Sequence, residues 1–222
     1  MIYTGNKTKD DLYTIKVITH QKGVRAFRLD ALSAASLPRK GPGLSDNGNF
    51  VLGDVQITAR PLDPKDKTKP VKLDLKAGPV SFEQKNFEFA KALDNSPGTG
   101  WGVAPQMGKD HAGIFEIKGT PAGFEGGTEF TVQLRFSNHF GLGKMRLAFT
   151  DKSEAKLNDK TDMQSLRELR VLAAAKAPAS PTSTRWFSRF DSRAKQLMEA
   201  VAKHELSRPQ PVLTEVYTAV NG

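Results

Sequence analysis

The sequence contains no cysteine among its 222 residues. This absence excludes disulfide bonds, thiolate metal sites, covalent haem attachment through a Cys-x-x-Cys-His motif and cysteine nucleophiles. Long apolar runs are lacking too, since none approaches the ~18 residues that a membrane-spanning helix needs. We therefore expect a protein without disulfides and without a transmembrane helix.

An export leader is also missing from the first residues. Residues 1–7 contain no apolar stretch ahead of a cleavage site made of small residues. The chain is therefore either cytoplasmic or a piece of a longer exported protein whose signal lies upstream. The sequence by itself leaves both possibilities open.

Motifs of common catalytic centres do not occur. The chain has four histidines, His20, His111, His139 and His204. None of them forms a His-x-x-x-His or His-Glu-x-x-His pair, and there is no Gly-x-Ser-x-Gly motif. Nothing singles out a pair of carboxylates for glycoside hydrolysis. We predict that the protein is not an enzyme.

The formal net charge of the chain is +9. Such an excess raises the question of nucleic-acid binding. The lysines and arginines are nevertheless interleaved with acidic residues, as in residues 63–69 (Asp-Pro-Lys-Asp-Lys-Thr-Lys), and no motif of aromatic residues on basic strands occurs. We predict a solvated basic surface without a nucleic-acid partner, which favours acidic polymers as ligands.

Short alternating stretches dominate the first 150 residues. Phe130, Val132, Leu134 and Phe136 recur at every second position, the period of a strand with one buried face. Further strands are predicted at residues 13–18, 24–32, 49–58, 80–82, 112–117 and 144–150, with a long loop at 37–48 and a charged connector at 60–72. Several short strands separated by turns predict a mainly β fold, an antiparallel β-sandwich over residues 1–155.

Residues 156–222 are predicted to form a helical appendage. Thr161 and Gln164 have the spacing of a capping box ahead of a first helix, and Ser180-Pro181 supplies an N-cap and an N1 proline for a second. The second helix, to about residue 203, carries an apolar stripe opposite its basic residues, which indicates a docking face. Residues 212–217 are strand-like.

An oxygen-rich segment occupies residues 92–101 (Ala-Leu-Asp-Asn-Ser-Pro-Gly-Thr-Gly-Trp). A carboxylate, an amide, hydroxyls and free carbonyls lie close together in it, and Ca²⁺ takes six to eight such oxygens. The alternative is an Asx-turn closed by Asp94 without a metal. In either case we expect Trp101 to anchor the turn in the core.

This segment resembles the signature of discoidin-like, galactose-binding-like domains, which include many carbohydrate-binding modules. The resemblance implies a jelly-roll β-sandwich with a structural Ca²⁺ in the turn. The calcium ligands that it implies are Ala92, Asp94, Ser96, Thr99 and Asp54. Asn95 stands where the family usually has glycine, and Ser96 stands where a second carboxylate would strengthen binding.

A closer resemblance covers about residues 10–150. Residues 47–52 (Asn-Gly-Asn-Phe-Val-Leu), 89–94 (Phe-Ala-Lys-Ala-Leu-Asp) and 111–116 (His-Ala-Gly-Ile-Phe-Glu) are similar to a module of large planctomycete cytochrome-c-associated surface proteins. This resemblance implies export to the periplasm or cell surface as part of a larger protein, with neighbouring domains as partners. It also implies glycan contact, by analogy.

Polar and aromatic loop residues are candidates for a sugar site, because ring faces stack on C–H groups while polar side chains recognise hydroxyls. These candidates are Asn138, His139, Phe140, Arg39 and His111. We predict a non-catalytic carbohydrate-binding module, with acidic polysaccharides favoured by the basic charge. The alternative is a structural module that contacts neighbouring domains and binds no glycan, for which a surface without a concave, aromatic-lined groove would be evidence.

Overall fold

The computed structural model describes residues 10–96, 98–157 and 192–207. Within these ranges the chain is mainly β and ends in one α-helix, so the predicted fold class is confirmed. The elements are β1 (Asp11–Thr19), β2 (Ala26–Ala31), β3 (Val51–Pro61), β4 (Val71–Lys72), β5 (Leu75–Val80), β6 (Trp101–Gly102), β7 (His111–Ile117), β8 (Thr128–Phe136), β9 (Met145–Thr150) and α1 (Ser192–Leu206), with short 3-10 helices at Pro38–Lys40 and Phe89–Leu93.

Two antiparallel sheets make up the described β structure. One has the strand order β1-β8-β3-β4, with β6 paired to the start of β3, and the other has the order β5-β7-β2-β9. The chain alternates between the sheets along most of its length, since β1, β3 and β8 lie in the first and β2, β7 and β9 in the second. This is the connectivity of a jelly-roll sandwich.

The core lies between the sheets and follows the period-two pattern of the sequence. Phe130, Val132, Leu134 and Phe136 of β8 are all buried, as predicted, and join the same apolar cluster as residues of the second sheet. Phe27 of β2 meets Phe130 with ring centroids 5.2 Å apart and planes at 79°. Such edge-to-face contacts join the two sheets through their aromatic rings.

Trp101 is fully buried, which confirms its predicted role as a core anchor. Its ring stands edge-on to Phe50 and Phe89, with centroids 4.9 and 5.0 Å away. The indole Nε1 donates a hydrogen bond to the Phe82 carbonyl oxygen at 3.0 Å, so the buried polar group has a partner. Trp101 thereby fixes the preceding loop at the start of β3.

Some elements differ from the sequence prediction. The strand predicted at residues 80–82 is wrong in its bounds, because β5 runs over Leu75–Val80, and β4 and β6 were not predicted. The later part of the second predicted helix is helical as α1. The first predicted helix, the start of the second and the strand-like tail at 212–217 lie outside the described residues.

Helix α1 presents apolar side chains to solvent. Leu197 is 60% exposed and Val201 57% exposed, one helical turn apart. Among the described helices, none combines the length and the hydropathy needed to span a bilayer.

Candidate functional site

A cavity of about 390 Å³ opens at the end of the sandwich where β3 begins and β8 ends. Four loops converge there, because antiparallel neighbours bring the start of one strand beside the end of the next. The polar lining residues are Asn47, Asn49, Asp54, Gln84, Asn95, Ser96, Thr99, Arg135, Ser137 and Asn138, and the larger apolar ones are Val51, Phe87 and Phe140. Side-chain amides are the most numerous polar groups of this wall.

The loop before β3 is held by close backbone contacts. A Cβ atom added at Gly43 would lie 1.8 Å from the Asn49 carbonyl oxygen, so only glycine fits there. Gly43 N–H donates to the Gly48 carbonyl at 3.0 Å. Asn49 N–H donates to Asn47 Oδ1 at 2.9 Å. These contacts place Asn47 and Asn49 at the cavity.

Asn49 and Gln84 form a fixed amide pair. Asn49 Nδ2 donates to Gln84 Oε1 at 2.9 Å, and Asn49 Oδ1 accepts from Val103 N–H at 2.9 Å. Gln84 Oε1 also accepts from Ala104 N–H at 3.1 Å. The Nε2 group of Gln84 has no hydrogen-bond partner among the described residues, so it remains available as a donor.

Left-handed backbone shapes two of the loops around the cavity. Asn95 has φ 55°, Asn138 has φ 57° and His139 has φ 64°. Asparagine tolerates this region better than most residues because its short polar side chain can bond locally. Phe140 N–H donates to the Ser137 carbonyl at 3.2 Å, which closes the tight turn after β8. Non-glycine residues held in this region are enriched at binding sites.

Two aromatic rings flank the amide groups. Phe87 and Phe140 line the cavity and are half-buried. The Phe140 carbonyl accepts from Val51 N–H at 3.0 Å, so the loop that carries this ring is tied to β3. The cavity therefore combines apolar ring surface with amides that both donate and accept.

The charged groups of the cavity balance each other. Asp54 and Arg135 are directly opposite on the paired strands β3 and β8. Gln56 Nε2 donates to Asp54 Oδ2 at 2.9 Å, which orients the carboxylate. Within the described lining the site thus holds one carboxylate and one guanidinium, although the whole chain is strongly basic.

The Asp94 turn borders this cavity and is closed by its own hydrogen bonds. Asp94 Oδ1 accepts from Ser96 N–H at 2.8 Å, the pattern of an Asx-turn. The Thr99 hydroxyl lies 2.9 Å from Asp94 Oδ1 and 2.9 Å from the Ser96 carbonyl oxygen. Ser96 and Thr99 also line the cavity.

The donor set of the turn is small for calcium. It brings together oxygens of Asp94, Ser96 and Thr99, and Asp94 supplies the one carboxylate among them. Ca²⁺, by contrast, takes six to eight oxygen ligands. Among the described residues, no three His, Asp or Glu side chains are grouped as a metal site. Ala92 is fully buried in the 3-10 helix before the turn, and Asp54 bonds Gln56. Calcium at this turn stays a prediction.

The structure brings together some of the predicted sugar-site residues and separates others. Asn138 and Phe140 line the cavity, and His139 lies beside them in an adjoining depression next to Asp46. Arg39 is exposed and does not line the cavity. His111 is 4% exposed, and its Nε2 lies 2.8 Å from the Gln106 carbonyl oxygen. His111 borders a different depression, on the four-stranded sheet.

Several lining residues were not predicted from the sequence. The main ones are Asn47, Asn49, Gln84, Phe87, Asn95 and Arg135. The Asn-Gly-Asn run at residues 47–49 is a turn signal that could have pointed to the first two. The others become neighbours only through strand pairing, which the sequence does not display.

Comparison with protein-family models, with curated proteins and with solved structures gives no match to this chain. The geometry and chemistry of the cavity are therefore the basis for a function.

Proposed function

We propose that this chain is a non-catalytic glycan-binding module and that the end cavity is its binding site. The observation that carries the proposal is the lining, a ring of side-chain amides flanked by Phe87 and Phe140. A sugar presents hydroxyls that donate and accept at once, as amides do, and C–H faces that pack on aromatic rings. At about 390 Å³ the cavity lies in the size range of small-ligand sites.

The lining supports binding rather than catalysis. Glycoside hydrolysis uses two carboxyl groups facing each other across the bond, and Asp54 is the one carboxylate among the described lining residues. Histidine, the commonest general base, does not occur in that lining either. Export as part of a larger surface protein belongs to the same proposal, since extracellular glycans would be the ligands.

The first test is a glycan array followed by calorimetric titration with neutral and acidic oligosaccharides. We expect Phe140→Ala to weaken binding about tenfold, because stacking on the ring is lost. Phe124→Ala is the matched control, since Phe124 is also half-buried but lies in the loop before β8, at the opposite end of that strand. If no glycan binds with a Kd below the millimolar range, the proposal is wrong.

The alternative is an interaction module that binds neighbouring domains and no glycan. The exposed Leu197 and Val201 on α1 favour it, since such a pair suits a helical docking face. An interaction module of this kind would need no concave, aromatic-lined groove. The cavity beside Phe87 and Phe140 is such a groove, which favours glycan binding over this alternative. Binding of a partner domain that survives Phe140→Ala and is lost in Leu197→Asp would favour the alternative.

A further inference from the structure

The end cavity continues onto the outer face of the sheet that contains β1, β8 and β3. Asp54 and Arg135 belong to both the cavity and this outer face. They line the cavity, and they are the outward-facing residues of β3 and β8 that lie nearest to it. Along β3, the residues Val55, Ile57 and Ala59 are buried against the core. The alternate residues, Gln56 and Thr58, therefore point away from the core.

The strand register sets these outward residues in rows. Gln56 lies opposite Gln133, which lies opposite Thr14 of β1. The next row places Thr58 opposite Thr131. We call these five residues, Gln56, Gln133, Thr14, Thr58 and Thr131, the polar strip. The distance from Asp54 at the cavity to Thr58 at the far end of the strip is about 13 Å along the strands, and the three strands are about 10 Å across.

The polar strip is uncharged, in a chain of which 26% of residues are charged. Its far end is closed by an ion pair, in which the Arg60 guanidinium donates to both carboxylate oxygens of Glu129 at 2.9 and 2.8 Å. Lys16, beside Thr131, has its Nζ 3.8 Å from Glu129 Oε1. Glu129 thus balances one of these two cations, and Lys72 of β4, which is exposed and lies opposite Thr58, is a further cation at the far end of the strip.

Amides and hydroxyls in rows suit a ligand that repeats hydroxyl groups along its length. Each Gln side chain donates and accepts, and so does each Thr hydroxyl. The five side chains of the strip offer no cation to an acidic chain, whose carboxylates would lose water over them, and that loss is unfavourable. The exposed Leu12, opposite Arg135 on β1, adds apolar surface at the mouth of the cavity.

We infer that the ligand is an extended, uncharged oligosaccharide chain, of which one unit occupies the end cavity and the following units lie along the polar strip. This inference rests on the proposed function and specifies its ligand class. It departs from the expectation of an acidic polysaccharide, because the five side chains of the polar strip are uncharged.

The test measures affinity against chain length. The probes are size series of neutral β-1,4-linked glucan, xylan, mannan and galactan fragments, from one to six units, with trigalacturonate as the acidic probe. In the series that binds, we expect Kd to fall about tenfold from the disaccharide to the tetrasaccharide and then to level off. Trigalacturonate should bind more weakly than the neutral trisaccharide.

Variants assign the gain to the polar strip. We expect the double variant Thr131→Ala, Gln133→Ala to bind the tetrasaccharide as weakly as the disaccharide, with disaccharide affinity unchanged within twofold. Gln106→Ala, outside the cavity and the strip, is the matched control and should keep the full length dependence. Thermal unfolding of each variant checks that the fold is intact.

The outcomes separate the two proposals. If disaccharides bind at the cavity but longer chains bind no more tightly, the glycan-binding function stands and the polar strip is not a site. The same holds if trigalacturonate binds best, or if the strip variants weaken all lengths equally. If no fragment of any length binds, both proposals fall.

Discussion

Glu129 is a nearly buried carboxylate on the outer face of a sheet, with 8% of its side chain exposed. It is paired with Arg60 through two hydrogen bonds and lies near Lys16. The hydrogen bond from Arg60 lowers the pKa of Glu129 below its ordinary 4.5, and the charges of Arg60 and Lys16 add to that effect. The hydrogen bond to Glu129 likewise raises the pKa of Arg60.

The sign of the pH dependence follows from the lowered pKa of Glu129. Its contribution to stability is present above pH 4.5 and is lost as the pH falls through the lowered pKa. We expect Glu129→Gln to lose about 1 kcal/mol at pH 7, a modest value because Arg60 is half exposed. Thermal unfolding should show the deficit shrinking below pH 4.5.

A control for this prediction is Glu125→Gln. Glu125 also pairs with a cation, Lys22, but 91% of its side chain is exposed. Exposed pairs contribute little, so we expect no measurable change in the unfolding temperature at any pH. A pH-independent deficit in Glu129→Gln would show that its packing, and not its charge, is what matters.

Gly113 is a residue at which one added methyl group meets the core. A Cβ atom there would lie 2.3 Å from Cε2 of Phe89, whose ring is 4.5 Å from Phe115 and 5.0 Å from Trp101. Because the ring is packed on both sides, it cannot move away. We expect Gly113→Ala to destabilise the protein by about 1–3 kcal/mol in chemical denaturation. Gly53→Ala, whose Cβ comes no closer than 3.4 Å to any atom, should be tolerated.

At the scale of elements, the Asp94 turn links the 3-10 helix Phe89–Leu93 to β6. Its closure depends on the Asp94 side chain as an acceptor for Ser96 N–H and the Thr99 hydroxyl. Since Asn keeps one such oxygen, we expect Asp94→Asn to be nearly neutral in the absence of calcium. Asp94→Ala should cost about 0.5–1.5 kcal/mol.

The same variants test the calcium prediction. A ligand that binds only the folded state raises the unfolding temperature. If the turn holds Ca²⁺, added calcium should stabilise the wild type and not Asp94→Asn, as measured by thermal unfolding with and without chelator. An unchanged unfolding temperature in the wild type would leave the turn as a metal-free Asx-turn.

A strand could be predicted from the sequence where its own side-chain pattern specifies it, but not where pairing with a neighbouring strand does. The alternation of β8 is carried by buried side chains and was visible in the sequence. By contrast, β5 includes Gly78 and Pro79 and pairs with β7 through an irregular register between Ala77 and Val80. Gly and Pro weaken strand propensity, so pairing at the sheet edge, and not local preference, makes it a strand. The two-residue strands β4 and β6 also exist only through their partners.

On the scale of the whole molecule, the sandwich was predictable and the cavity only in part. Asn138 and Phe140 could be predicted as site residues because they lie in one loop that combines polar and aromatic side chains. Gln84 and Arg135 lie far apart in the sequence and converge through the pairing of β3, β6 and β8. Periodicity specifies which face of a strand is buried, but not which strands become neighbours.

The order of the first sheet has a consequence for synthesis on the ribosome. Strands β1 and β3 lie on either side of β8, so Asp11 is paired with Phe136, and neither early strand has this partner until β8 has emerged. A nascent chain that stops before Thr128 displays unpaired strand edges, the kind that recruit other chains. Contacts so distant in sequence also slow folding. Premature termination should therefore yield aggregates and not a smaller working module.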